Sequence, residues 1–201
     1  MKTTTIGMIG LVAGLALAGC DTGGWEDEGQ REVEEPSNTT HLVQNPTPYD
    51  APPISEAQKA EFLHVINSAR SVAQDSGEYG VMPAVPALVW SNELYIAAYE
   101  HNDDLIASST YSHYGSGTAS DWTSVVNEMA GRGSWPGDRA VNNGYTGLST
   151  GENIVAGPPT ASVAINSWLG SDGHCSNLMK AKWKIVGMAR VENTWTQMFG
   201  L

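Results

Sequence analysis

The stretch "TGENIVAG" (Thr150–Gly157) sets one acid, Glu152, between a loop and an apolar, strand-like run. A carboxylate at the threshold of a core is costly unless it is paired or hydrogen-bonded. Glu152 therefore predicts a partner from elsewhere in the chain, either a histidine or a cation. Which group that is decides what the surrounding site can do.

Toward the C-terminus, "PTASVAINSWLG" predicts a helix capped by Thr160, with Ala161, Ala164, Ile165 and Trp168 on one face. The next stretch, "SDGHCSN", reads as a turn carrying His174 and Cys175. Two strand-like runs, "KIVGMARV" and "TWTQMFGL", are parted by Glu192 and Asn193 and predict a hairpin. Toward the N-terminus, "RGSWPGDRAVNNGYTGLST" (132–150) is rich in Gly and Asn and reads as a long irregular stretch. Loops of that length in a compact domain are often functional. "SDWTSVVNEMAG" predicts a short helix capped by Ser120, and "YSHYGSGTAS" a Gly/Ser loop where the backbone around His113 can approach a ligand. "SNELYIAAYEHNDDLIASS" is a helix with Leu94, Ala97, Ala98, His101 and Leu105 on one side. His101 lies on that apolar stripe and reads as a core histidine with a local hydrogen bond, not a ligand. "SEAQKAEFLHVINSARSVAQDSG" opens with capping-box spacing at Ser55 and Gln58, buries Phe62, Ile66, Ala69 and Ala73, and stops at Gly77. Helices followed by an antiparallel pair give an α+β fold built in layers.

The chain divides into three parts. Residues 1–19 combine Lys2 with an uncharged apolar run from Ile6 to Ala18. That run is too short for a bilayer span, which takes about 20 residues, and suits a signal peptide. It ends in "LALAGC", which looks like a bacterial lipobox with cleavage before Cys20 and lipid on its sulfur. One acyl chain holds only marginally and two hold stably, so the expected protein is anchored to a bacterial membrane, on its extracytoplasmic side, without spanning it. Residues 20–54 carry eight acidic residues against Arg31 alone, with five prolines. Such a segment buries too little surface to offset its ordering entropy and reads as a disordered tether. Residues 55–201 form one domain by length. The chain as a whole is acidic, with net charge −12, and shows no basic stripe, which argues against a nucleic-acid partner.

His174 and Cys175 are neighbours, but adjacent residues do not face each other on a helix and point to opposite faces of a strand. Cys175 therefore reads as a buried structural residue, as free cysteines often are.

The pieces "LHVINSAR", "PALVWSNEL", "YSHYGSGT", "TGENIVAG", "SWLGSDGHCSN" and "TWTQMFG" occur in an order that resembles the CAP superfamily. That superfamily groups cysteine-rich secretory proteins, antigen 5, pathogenesis-related class 1 proteins and bacterial SCP-like domains. The resemblance covers nearly all of 62–200. It implies an α–β–α sandwich with a central antiparallel sheet between helical layers and a cleft on one side. It also implies cleft residues His113, Glu152 and His174, with Asn153 fixing a loop. Two further positions at which eukaryotic members carry a glutamate and a histidine are Ser171 and Trp195 here, and the 132–150 region is longer than usual.

Three functions are compatible with that resemblance. One is a tethered binding module for a lipid, peptide, glycan, cell-wall ligand or divalent cation, needing no cofactor. A second is a metal-assisted hydrolase or peptidase, with zinc or magnesium on His113 and His174, Glu152 as general base, and Glu128 or Asp172 completing the ligand set. The third is a structural or adhesive surface protein in which the histidine–glutamate pair only rigidifies a loop. Fold alone does not choose among them.

Overall fold

The computed structural model describes residues 46–201. The leader at 1–19, Cys20 and the tether up to residue 45 lie outside the described residues.

The chain forms six α-helices and six short or medium strands among the described residues: α1 (Glu56–Arg70), β1 (Gln74–Asp75), β2 (Val81–Met82), β3 (Val89–Trp90), α2 (Asn92–Ser108), α3 (Trp122–Val126), α4 (Pro136–Asn142), β4 (Thr150–Ala156), α5 (Ala161–Leu169), α6 (Asp172–Leu178), β5 (Ile185–Val191) and β6 (Thr194–Gly200). The main sheet has the order β3-β5-β6-β4. Pairs β5–β6 and β6–β4 are antiparallel over seven residues each, while the two-residue β3 runs parallel to β5. Helices α2 and α4 cover one face and α1, α5 and α6 the other, which is the α–β–α sandwich.

Period-2 alternation sorts the two cores. On β6, Trp195 and Phe199 point to the α1/α5 side, where they join Phe62, Ile66, Trp168 and Trp183. Met198 points the other way, to Leu94, Tyr95, Ala97 and Ala140. Gly187 on β5 is required by contact: a Cβ there would collide with the backbone of Leu94 and Tyr95. Its absence lets α2 lie directly on the sheet.

Helix starts follow their caps. Ser55, Ser91 and Thr160 each accept the N–H three residues on. The apolar stripes expected on α2 and α5 are buried.

Several expectations need correction. Helix α1 ends at Arg70, not near Gly77: Ser71 caps it, the Arg70 carbonyl accepts from the Val85 N–H, and the Arg70 guanidinium turns inward to the carbonyls of Pro86, Leu178 and Lys180. Ala73 is consequently exposed. Helix α3 is capped by Asp121, not Ser120. The "irregular" 132–150 stretch contains α4, which starts with Pro136 in its first turn and with Asp138 reaching back to the Trp135 N–H at 3.0 Å. "SDGHCSN" is a helix, not a turn. The tether boundary also moves. The Thr47 carbonyl accepts from Trp122 and Asn142, Tyr49 bonds Asn143 and Asp103, and the Pro52 carbonyl accepts from Tyr95. Residues 47–54 are thus part of the folded unit.

Candidate functional site

The sheet places the site. Strand β4 is an edge strand, and its consecutive residues Glu152 and Asn153 point to opposite faces. Glu152 pairs in register with Met198 and so faces the α2/α4 layer; Asn153 pairs with Gln197 and faces α6. Each layer then supplies one histidine to the same edge.

On the α2/α4 side, Glu152 is saturated. Its Oε2 accepts from Arg139 at 2.7 Å and its Oε1 lies 2.9 Å from His113 Nδ1. The Arg139 and Glu152 side chains are almost wholly buried, whereas the His113 side chain is 48% exposed. Burial alone would push the Glu152 carboxyl up; the Arg139 guanidinium, backed by His101 and His113, holds it down at about 2. Glu152 is therefore a fixed anion. Its position beside Nδ1 makes that nitrogen the donor, and Nε2 becomes the atom His113 presents outward.

Arg139 does more than pair with Glu152. It also donates to the carbonyls of His113 and Ser134, tying the His113 loop to the start of α4. His101 is fully buried, as its stripe predicts, and its Nε2 donates to the Ser112 carbonyl at 2.9 Å. That nitrogen is also 3.7 Å from Glu152 Oε1. Burial, then Arg139, lowers His101 to about 4, so it is neutral at pH 7. It is a core histidine that also supports the site.

The rest of the loop hangs on two buried acids. Asp104 accepts from Ser116 and Ser120. Asp121 accepts from the N–H groups of Gly117, Ser124 and Ser134. Burial would raise Asp121, but those three donors outweigh it and lower its pKa.

On the other face, Asn153 donates toward the His174 carbonyl (3.3 Å) and Gln197 (3.4 Å), and accepts from Asn177 at 3.0 Å. Asn177 also donates to the Glu152 carbonyl. Asn153 therefore fixes α6 to the edge strand, where a loop was expected. His174 rides on α6 with its Nδ1 2.8 Å from the Ser171 hydroxyl. Burial, followed by His113, lowers it to about 4. The rings of His113 and His174 meet across the strand edge with centroids 6.4 Å apart. Both use Nδ1 within the protein.

The expected metal ligand set does not assemble around these rings. Asp172 accepts from the Glu78 N–H, and Glu128 is exposed on the turn after α3. Both oxygens of Glu152 are engaged. Among the described residues no three His, Cys, Asp or Glu side chains cluster to hold a metal. Two imidazoles fall short of the three protein ligands of a catalytic zinc and do not offer the oxygen ligands magnesium prefers. Trp195 is core, donating to the Pro158 carbonyl. Cys175 is buried against the Ser76 hydroxyl at 2.8 Å. Arg139 was the residue that sequence reading missed. Pro136 followed by Asp138 was the available helix-start signal.

The family model described as "CAP: Cysteine-rich secretory protein family" matches residues 63–199. Among curated proteins, the uncharacterized Bacillus subtilis protein YkwD is 32% identical over 66 residues, covering 32% of this chain and 26% of that protein. The chain thus aligns with about a quarter of that relative's length. Among solved structures, an extracellular SCP-domain protein from Bacillus anthracis superposes with TM-score 0.54 at 20% identity, covering 75% of this chain and 45% of the other. An outer surface protein of Borrelia burgdorferi superposes with TM-score 0.50 at 16% identity, covering 72% of this chain and 90% of the other.

Proposed function

The chain belongs to the cysteine-rich secretory protein (CAP) family, and on that fold we propose that it acts as a lipid-anchored, extracytoplasmic binding module whose ligand seats between His113 and His174. One observation carries this: a buried Arg139–Glu152 pair holds the half-exposed His113 ring 6.4 Å from His174, which comes from the opposite layer. Two imidazoles held from different layers, each with Nδ1 already used, form a preorganised pair of donors or acceptors for a ligand.

The same geometry disfavours hydrolysis with Glu152 as general base. Efficient bases have a pKa near the working pH, and Arg139 holds Glu152 near 2. Anchoring is supported by the "LALAGC" stretch and Cys20. Among the described residues no helix is long and apolar enough to cross a membrane. The extracellular and outer-surface descriptions of the two structural neighbours agree with an extracytoplasmic place.

Calorimetry on the full-length protein tests the site, with soluble cell-wall fragments, a fatty acid and zinc chloride as probes. Binding that is lost in both His113→Ala and His174→Ala supports the proposal; binding unchanged in both variants moves the ligand elsewhere and sinks it. Anchoring is tested by metabolic labelling with a palmitate analogue. Label is expected on the wild type and not on Cys20→Ser, and label retained by that variant excludes the anchor proposed.

A further inference from the structure

Three exposed aromatic side chains occur among the described residues: Tyr111 (49%), Tyr114 (39%) and Trp135 (45%). Single exposed apolar residues scattered over a surface need no explanation. Tyr114 and Trp135 are not scattered. Tyr111 and Tyr114 bracket His113 in sequence, and Trp135 caps α4, the helix that carries Arg139. The Tyr114 and Trp135 rings meet edge to face, with centroids 4.6 Å apart and planes at 75°.

The backbone prepares this corner. The Gly115 N–H donates to the Ser134 carbonyl at 2.8 Å. A Cβ on Gly133 would collide with the Gly115 carbonyl oxygen, and one on Gly117, at φ +68°, with the Gly131 carbonyl. Only glycine allows the two loops to lie backbone against backbone. Tyr114 is thereby delivered next to Trp135, and the rings need little ordering when a ligand arrives.

The charges around the corner are paired in place. Asp138 takes Arg132 at 3.1 Å and the Trp135 N–H, and Glu152 takes Arg139. These pairs leave neither cation nor anion among them free to select a charged ligand. The residue before Tyr114 in the chain is His113, whose imidazole donates or accepts one hydrogen bond. Aromatic faces that adjoin a hydrogen-bonding imidazole along the chain match a sugar ring, whose axial C–H face is apolar and whose rim is hydroxylated. The 75° angle makes a floor and a wall. Proline-rich peptides instead dock into aromatic-lined grooves.

We infer that Tyr114 and Trp135 form a subsite for a neutral, equatorially substituted oligosaccharide that continues into the His113 cleft. This inference deepens the binding reading above and rests on it. Sugar C–H groups stack on the Trp135–Tyr114 corner while a hydroxyl bonds His113.

The test is calorimetry on the full-length protein with chitotetraose, cellotetraose and maltotetraose, plus a proline-rich peptide and zinc chloride as comparators. A β-1,4-linked tetrasaccharide is expected to bind at up to about millimolar concentration. Trp135→Ala and Tyr114→Ala should each weaken it about tenfold or more, as truncated interface aromatics do; Trp135→Phe should restore most of it, and Val163→Ala on the far helix α5 should change nothing. Saccharide binding lost in His113→Ala but untouched in Trp135→Ala and Tyr114→Ala overturns the subsite and leaves the cleft standing. Loss only in the aromatic variants, with His113→Ala and His174→Ala unaffected, keeps the aromatic corner and overturns both its link to His113 and the two-histidine cleft. No saccharide binding, with histidine-dependent binding of the peptide or zinc, also overturns the subsite.

Discussion

The two faces of the main sheet differ in what they bury besides apolar side chains. The α1/α5/α6 face is an apolar core of Trp, Phe, Ile and Leu, with Trp183 stacked on Phe199 at 5.7 Å. The α2/α4 face adds to its own apolar cluster, around Leu94, Ala97 and Met198, a buried polar layer: Glu100, His101, Asp104, Arg139 and Glu152, each almost wholly shielded from water. The first face holds through area and packing, which tolerate some rearrangement. The polar layer of the second holds only while every member is satisfied. Glu100 shows the cost: burial raises its pKa, although Thr123, Asn143 and Arg139 all pull it back. The apolar face supplies stability, and the polar face positions His113.

Removing one group from each face exposes the contrast. Arg139→Ala leaves Glu152 buried without its cation and should cost about 3–5 kcal/mol in urea unfolding at pH 7. The diagnostic is its pH dependence. Without Arg139, burial pushes the Glu152 carboxyl above its unfolded value, so the variant should gain relative stability as pH falls. Adding Glu152→Gln should recover part of the loss. If Arg139→Ala costs no more than an exposed substitution, the polar layer is not held by that pair. Trp168→Ala on the other face should cost a similar amount, about 3–5 kcal/mol, through lost transfer energy and a cavity. That loss should be independent of pH and beyond rescue by any charge change. A pH-dependent Trp168→Ala would show that the two faces are coupled.

The contrast also explains what sequence could reveal. The stripes of α2 and α5 and the β5–β6 hairpin were legible because apolar burial leaves a period, 3.6 or 2. The α+β class and the sandwich followed from those elements and from the order of the family-like motifs. Glu152 was legible as a carboxylate that demands a partner, and His113 as a cleft residue through the order of the family-like motifs. Which partner dominates was not legible. Arg139 sits in a seven-residue helix whose Gly, Pro and Asn neighbours resemble a loop, and buried polar residues leave no period to read. Gly173 hid α6 in the same way. Residues 47–54 read as tether because prolines suggest an unpacked coil. Their carbonyls are the groups in use here, accepting from Trp122, Asn142 and Tyr95, and a proline keeps its carbonyl.

Acid should separate the faces without any mutation. His101 and His174 titrate at about 4 in the folded chain against 6.5 ordinarily. The unfolded chain therefore binds protons first, and stability is lost as pH falls from 6.5 toward 4. The buried His101 should account for about 3 kcal/mol of that loss. Glu152, held near 2, adds to it below its ordinary value of 4.5. Urea midpoints taken from about pH 7 to about pH 4 should fall steadily, and His101→Gln should flatten the slope. A slope unchanged in His101→Gln would mean the ring is protonated in the fold after all.

Asn153→Ala is the smallest lesion and the most local. It removes the acceptor of Asn177 and the donors toward the His174 carbonyl and Gln197. The expected loss is about 1–3 kcal/mol, the usual cost of leaving buried polar groups unsatisfied. Asn153 lies on the apolar side of the sheet yet acts as the polar layer does, by satisfying groups that area cannot. With it gone, α6 keeps its apolar contacts through Leu178 but loses its fixed register on β4. His174 should then become more exposed, and its titration, followed by imidazole proton shifts, should climb from about 4 toward 6.5. His113, anchored through Glu152 on the opposite face, should keep its wild-type ring proton shifts at about pH 7. A His174 that still titrates near 4 would show that apolar packing alone sets α6, and that the polar logic stops at Glu152.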